Sequence, residues 1–110
     1  MTTATLRTRG VTIRLKPNSV AEFNQTLEKE ILPLLQKQKG FRDEITLVAP
    51  NGAEVLGISV WDQKEDAEAY YRTTYPDVQK LLSKVAAGTP QVQTYEVSFS
   101  TMHKPAVQRA

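Results

Sequence analysis

The chain has 110 residues, which fits one domain, and its 40% hydrophobic and 24% charged residues are ordinary for a soluble globular protein. Its 14 basic and 12 acidic residues nearly balance at +2, without a basic stripe interleaved with aromatics, so we expect no nucleic-acid partner. The lack of cysteine excludes a disulfide scaffold, thiol catalysis and cysteine-based metal sites. The first ten residues lack the apolar run of a signal peptide, and no segment approaches the roughly 20 apolar residues that span a bilayer. We therefore expect a cytoplasmic protein with no membrane contact.

The first predicted strand covers residues 6–16, where apolar and polar side chains alternate. Val11 and Ile13 share one face, and Arg14 points to the other. The pattern leaves open which face meets the helices. Arg14 either lines a helix-covered cavity, where it would stabilise an oxyanion, or lies at an open edge or a dimer interface.

A long helix is predicted to follow. Ser19, with Glu22 three residues later, is typical of a capping box at a helix start. Apolar residues then recur at helical spacing up to Leu35, and Gly40 is predicted to end the helix. Pro33 lies inside this run, and its missing N–H predicts a kink near Glu30.

The second and third strands are predicted at 41–49 and 54–61, joined by a turn at Asn51 and Gly52. Asn-Gly between two such runs is a strong hairpin signal. The third strand is apolar on both faces, which is typical of a strand that is covered on both sides.

Two helices and a last strand complete the predicted order. Asp62 and Glu65 repeat the capping pattern, and Pro76 suits the first turn of the next helix. Residues 78–85 carry apolar side chains at helical spacing, and residues 91–101 alternate as a strand.

The order βαββααβ predicts an α+β, ferredoxin-like fold with a four-stranded antiparallel sheet. We expect the folded domain to cover 6–101, with flexible segments at 1–5 and 102–110. The helix-free sheet face, predicted to hold Val48 and one face of the third strand, is apolar enough to need a cover. A second copy of the chain would supply it, so we expect a homodimer.

Three short stretches carry a family resemblance: the sequence KGF at Lys39–Phe41, ISVW at Ile58–Trp61, and AYY at Ala69–Tyr71 after an acidic helix start. Over roughly residues 8 to 101 the chain resembles the antibiotic biosynthesis monooxygenase family. The resemblance implies a dimeric α+β barrel. It also implies an activity among those of the family, which includes cofactor-free oxygenases of polycyclic phenols or quinols and haem-degrading enzymes.

The haem-degrading branch of that family carries an Asn on the first strand, a Trp on the helix that follows the family tryptophan, which is Trp61 here, and further along a His that binds the iron. Here the first strand has no Asn, the helical position is matched best by Tyr70, and the ligand position falls near Lys80. The one histidine of the chain, His103, lies in the predicted tail. We therefore expect neither haem nor any other cofactor, and no metal site.

No set of residues forms a catalytic signature, so the catalytic residues stay unassigned. Six residues are candidates for lining a pocket between sheet and helices: Arg14, Asn24, Trp61, Tyr70, Tyr75 and Tyr95. The aromatic candidates also have a purely structural interpretation, because aromatic residues most often serve packing. Asp43 and Glu44 are neighbours on a strand, point to opposite faces and cannot form a carboxylate pair.

Two functions fit these patterns. The first is a cofactor-independent monooxygenase that binds a small hydroxyaromatic or quinol between sheet and helices and lets its ionised form reduce oxygen. The second is a non-catalytic dimeric barrel that binds a small molecule or serves only as a scaffold. Cavity size and polarity discriminate between them, since an enzyme needs a polar-tipped cavity of a few hundred Å³.

Overall fold

Four antiparallel strands form one sheet in the computed structural model, which describes residues 6–101. The strands are β1 (Arg7–Arg14), β2 (Phe41–Val48), β3 (Glu54–Trp61) and β4 (Gln91–Glu96). Their order across the sheet is β2-β3-β1-β4, with β1 and β3 in the centre. This confirms the predicted α+β, ferredoxin-like fold. The segments predicted to be flexible, 1–5 and 102–110 with His103, lie outside the described residues.

The helices cover one face of this sheet. They are α1 (Val20–Thr26), a π-helical segment (Leu27–Ile31), α2 (Leu32–Gln36), α3 (Lys64–Thr73) and α4 (Tyr75–Leu82). The predicted disturbance at Pro33 takes the form of the π-helical turn that precedes it. Because Pro33 has no N–H, the α-helical bond ladder is interrupted there, and the wider turn accommodates the break.

Both predicted capping boxes are wrong. The Ser19 hydroxyl donates to the Pro17 carbonyl at 3.4 Å and caps no helical N–H. The third helix begins one residue later than predicted, after an extended Gln63. Asp62 is engaged elsewhere, in an ion pair with Arg42.

The last helix begins where Pro76 predicts, with the proline in its first turn. It ends at Leu82, although the buried Val85 continues the apolar stripe. The last strand ends at Glu96 rather than near residue 101. No helix within residues 6–101 is long and apolar enough to cross a bilayer.

The β2–β3 hairpin decides which side chains of β2 face the helices. Gly52 adopts a φ of +72°, which confirms a tight turn at Asn51-Gly52. At the other end Phe41 pairs with Trp61 and Asp43 with Val60, so one residue is extra and the strand bulges. Beyond the bulge, Glu44 lies opposite Ser59 on the helix-facing side.

The prediction that Val48 lies on the helix-free face is wrong. Val48 pairs with the buried Val55 and packs against the core. Ile45 and Leu47 occupy the helix-free face instead, and 44% and 48% of their surfaces are exposed. The apolar face that needs a cover therefore exists, but it consists of different residues of β2.

The core lies between the sheet and the helices. Its largest fully buried side chains are Trp61, Phe23, Val55 and Val85. Burial of each contributes about 1.5–3 kcal/mol to stability. Trp61 also donates a hydrogen bond from Nε1 to Ser59 Oγ at 2.9 Å, so its one polar atom is satisfied.

Candidate functional site

A cavity of about 50 Å³ lies between the helix-facing side of the sheet and the helical layer. Most of its wall is apolar, from β1, β3, the π-helical segment and α4. Its polar side chains come from two strands and two helices: Glu44, Thr46, Ser59, Tyr70, Tyr71 and Tyr75. A mostly apolar wall with a few convergent polar groups is typical of small-molecule sites.

Three tyrosines from α3 and α4 form the aromatic wall. The ring centroids of Tyr70 and Tyr71 lie 4.9 Å apart, and those of Tyr71 and Tyr75 lie 4.7 Å apart. Burial raises the pKa of all three hydroxyls, and for Tyr70 and Tyr71 a neighbouring tyrosine and then Glu44 raise it further. The three hydroxyls therefore stay protonated near neutrality and serve as hydrogen-bond donors rather than bases.

The Tyr75 hydroxyl is buried, and no group within residues 6–101 is its hydrogen-bond partner. A buried polar atom left alone costs about 1–3 kcal/mol. We expect Tyr75→Phe to leave the free energy of unfolding unchanged or to raise it by about 1 kcal/mol, measured by urea denaturation. A loss of 2 kcal/mol or more, on the order of a broken buried hydrogen bond, would contradict this account.

Glu44 places a carboxylate in the same wall. Thr46 Oγ1 donates a hydrogen bond to Glu44 Oε2 at 2.9 Å. A Cβ at position 57 would lie 3.0 Å from Oε2, so Gly57 leaves the space that the carboxylate occupies. Burial raises the pKa of Glu44 to about 7, and the Thr46 hydrogen bond opposes part of that rise. Glu44 therefore exchanges a proton close to neutral pH.

The positively charged side chain of Arg9 lies behind the tyrosines of the wall. The guanidinium carbon of Arg9 lies 4.6 Å from the centroid of the Tyr71 ring, a cation–π distance. Its Nε is buried and has no hydrogen-bond partner within the described part of the chain. Arg9 and a hydrogen bond with Ser59 partly offset the rise in the pKa of Tyr71. The positive charge therefore favours negative charge at this end of the site.

Three of the six predicted pocket residues lie at the cavity or directly behind it. Tyr70 and Tyr75 line it. Trp61 is fully buried behind Tyr70, with 5.2 Å between their ring centroids. Trp61 is therefore a core anchor that contacts the pocket wall rather than part of the wall.

The other three lie elsewhere, and the prediction that they line the pocket needs correction. Arg14 is exposed and follows Ile13, a cavity residue, so strand alternation turns it to the helix-free face. Tyr95 pairs with Thr8, and its ring lies over Gly10 on that same face, 55% exposed. Asn24 is exposed on α1, whereas its neighbour Phe23 faces the cavity.

Sequence reasoning did not place Tyr71 or the three polar residues Glu44, Thr46 and Ser59 in the pocket. Once the face of β2 is known, alternation alone places Glu44 and Thr46 together. Within residues 6–101 no group of three or more His, Cys, Asp or Glu side chains is arranged to hold a metal ion.

No family model matches the chain, and no curated protein is significantly similar to it. Solved structures do match. One is a monooxygenase from the gene ActVA-Orf6 of Streptomyces coelicolor, in complex with the ligand nanaomycin D. It has a TM-score of 0.76 and 12% identity, over 88% of this chain and 91% of that one. Another is SnoaB, a cofactor-independent oxygenase from Streptomyces nogalater. It has a TM-score of 0.75 and 14% identity, over 91% and 100% of the two chains.

A protein of unknown function from Nitrosomonas europaea is similar to the same degree, with a TM-score of 0.74 and 13% identity over 91% of this chain and 96% of that one. The chain thus has the fold of the antibiotic biosynthesis monooxygenases, as its short motifs predicted. At these sequence identities the similarity shows the fold alone, so an activity has to be argued from the residues of the site.

Proposed function

We propose that the protein is a cofactor-independent monooxygenase that acts on a small hydroxyaromatic or quinol held between the sheet and the helices. The observation that carries this proposal is the cavity wall, where three protonated tyrosines and one titratable carboxylate converge. Two oxygenases of known structure share this fold, which supports the proposal further.

In this reaction the ionised hydroxyaromatic is the reductant and molecular oxygen the oxidant: one oxygen atom enters the ring, the other leaves as water, and the ring supplies all four electrons and ends as a quinone. The protein orients the ring, excludes water and supplies donors to the developing oxyanion. Tyr75, whose hydroxyl has no partner among the described residues, is free to donate to it. The guanidinium of Arg9 stabilises the negative charge from behind Tyr71.

The size of the cavity limits the ligand. Its 50 Å³ is below the roughly 150 Å³ that accommodates one benzene ring, so binding requires the wall to move. Leu27 and Ile31 of the wall belong to the π-helical segment, a local geometry often found at functional sites. We infer that this segment shifts on binding and that one-ring hydroxyaromatics fit before polycyclic ones.

We further propose that the working unit is a homodimer in which two sheets pack through their helix-free faces. Ile45, Leu47 and Tyr95 are large, exposed side chains of this face, and Leu56 and Ile58 lie between them. A face of this size and apolarity is costly in water. A second copy covers it with a self-complementary surface.

The first test is a titration with one-ring quinols and larger hydroxyaromatics, air-free, following fluorescence of Trp61. Since Trp61 packs on Tyr70, a ligand that touches Tyr70 is expected to quench it with saturation. Tyr75→Phe should weaken binding by about tenfold, the effect of losing one hydrogen bond to an oxyanion. Oxygen uptake with the ligand that binds best then measures turnover.

The matched control is Tyr95→Phe, which removes the same atom from a tyrosine on the opposite face of the sheet but keeps the apolar ring that the proposed dimer would bury. It should change neither quenching nor oxygen uptake. Oxygen consumption at the background rate with every ligand that binds would exclude the oxygenase.

The second candidate is a non-catalytic dimeric barrel that binds a small molecule or serves as a scaffold, and the small cavity volume favours it. It predicts quenching without oxygen uptake, or no quenching by any ligand in the panel.

A further inference from the structure

Glu44 is a partly buried carboxylate in the cavity wall. Within residues 6–101 no lysine or arginine forms an ion pair with it, and its one assigned hydrogen bond comes from Thr46. A carboxylate in such a place costs free energy that a glutamine would avoid. Its position therefore requires an explanation beyond packing.

The groups around Glu44 favour it as the acceptor of a proton from a ligand in the cavity. Among the described residues, Tyr70 and Tyr71 of α3 face it, Tyr75 lines the same cavity from α4, and the charged Arg9 of β1 lies behind Tyr71. All three tyrosines stay protonated, so none of them competes as a base near neutral pH. The π-helical segment and α2 contribute apolar side chains to the wall, among them Leu27.

We propose that the Glu44 carboxylate is the base that accepts the hydroxyl proton of a one-ring quinol bound in the cavity; this role rests on the proposed function. In the step the ligand O–H bond breaks, a new O–H bond forms on Glu44, and the electron pair stays on the ligand oxygen. The negative charge moves from the carboxylate to the ligand, so the net charge of the site does not change. The resulting oxyanion lies among tyrosine donors and is the form that reduces oxygen.

A base must be ionised to act, and a group that titrates near the working pH is suited to this task. The value of kcat/KM for oxygen uptake should rise as pH rises through about 7, as Glu44 loses its own proton. Air-free binding of hydroquinone should strengthen about tenfold over the same range, because an ionised acceptor makes the stronger hydrogen bond.

Two variants test this assignment. Glu44→Gln keeps an acceptor for Thr46 but cannot take a proton. It should lower kcat/KM by about 10²–10⁴-fold, and both pH dependences should disappear. Thr46→Val keeps the carboxylate but removes the hydrogen bond that lowers its pKa, so both rises should shift to higher pH.

The outcomes separate this inference from the proposed function. Wild-type hydroquinone binding that strengthens with pH, together with flat binding by Glu44→Gln, supports Glu44 as proton acceptor even if no oxygen is consumed; only the oxygenase then fails. If Glu44→Gln keeps the pH dependence of binding or of rate, Glu44 is not the base. Glu44 is also not the base if Thr46→Val leaves the pH dependence of binding and that of kcat/KM unchanged.

Discussion

Glu44→Gln is expected to stabilise the folded protein by up to about 3 kcal/mol above pH 7 and to change little near pH 4.5. In the unfolded chain this carboxyl titrates near 4.5, and in the folded protein near 7. Below pH 4.5 the carboxyl is protonated in both the folded and the unfolded state, so there is no cost of burying its charge. Between 4.5 and 7 the unfolded state loses its proton first, so wild-type stability falls as pH rises. Above pH 7 the carboxyl is ionised in both states, and the free-energy cost of burying its charge is constant.

The measurement is the free energy of unfolding of both proteins in urea at a series of pH values, compared as a difference. The difference should grow across this window and then level off. Glu54→Gln removes an exposed carboxylate from the neighbouring strand and reports the effect of net charge alone. A difference that does not vary with pH would mean that Glu44 is solvated in the folded state.

The fold was predictable because several local signals agree. Alternation marked β1 and β4, Asn51-Gly52 marked the hairpin, and Pro76 marked the start of α4. The helix caps failed because Ser19 and Asp62 found other partners, Pro17 and Arg42. The partner of Ser19 is local and that of Asp62 is 20 residues away, and neither alternative is visible in a cap pattern.

The site was half predictable. Its aromatic wall was predicted in part at Tyr70 and Tyr75, which lie on α3 and α4, but its carboxylate depends on which face of β2 meets the helices. Apolar Ile45 and Leu47 argue for the core by composition, yet they lie on the helix-free face, and Glu44 points inward. Alternation separates the two faces of β2 but does not say which of them meets the helices.

Because the apolar side chains of β2 lie on the helix-free face, a charged substitution on that face is the second change with a large expected effect. Leu47→Glu is expected to convert the proposed dimer to a monomer. Within a dimer, each uncompensated buried charge costs about 3–5 kcal/mol. A two-fold interface contains the residue twice, so the dissociation constant should rise about 10⁴-fold or more. The monomer itself should still fold, since Leu47 is 48% exposed within one chain.

Sedimentation velocity over a range of protein concentrations measures this change, and urea denaturation of the variant checks that the chain is folded. Val92→Glu is the matched control, because Val92 is 41% exposed but pairs with the cavity residue Val11 and so lies on the opposite side of the sheet. It should leave the assembly unchanged. If wild type sediments as a monomer, or if both variants dissociate alike, the face that holds Leu47 is not the interface, and the apolar surface of β2 and β3 would need another cover.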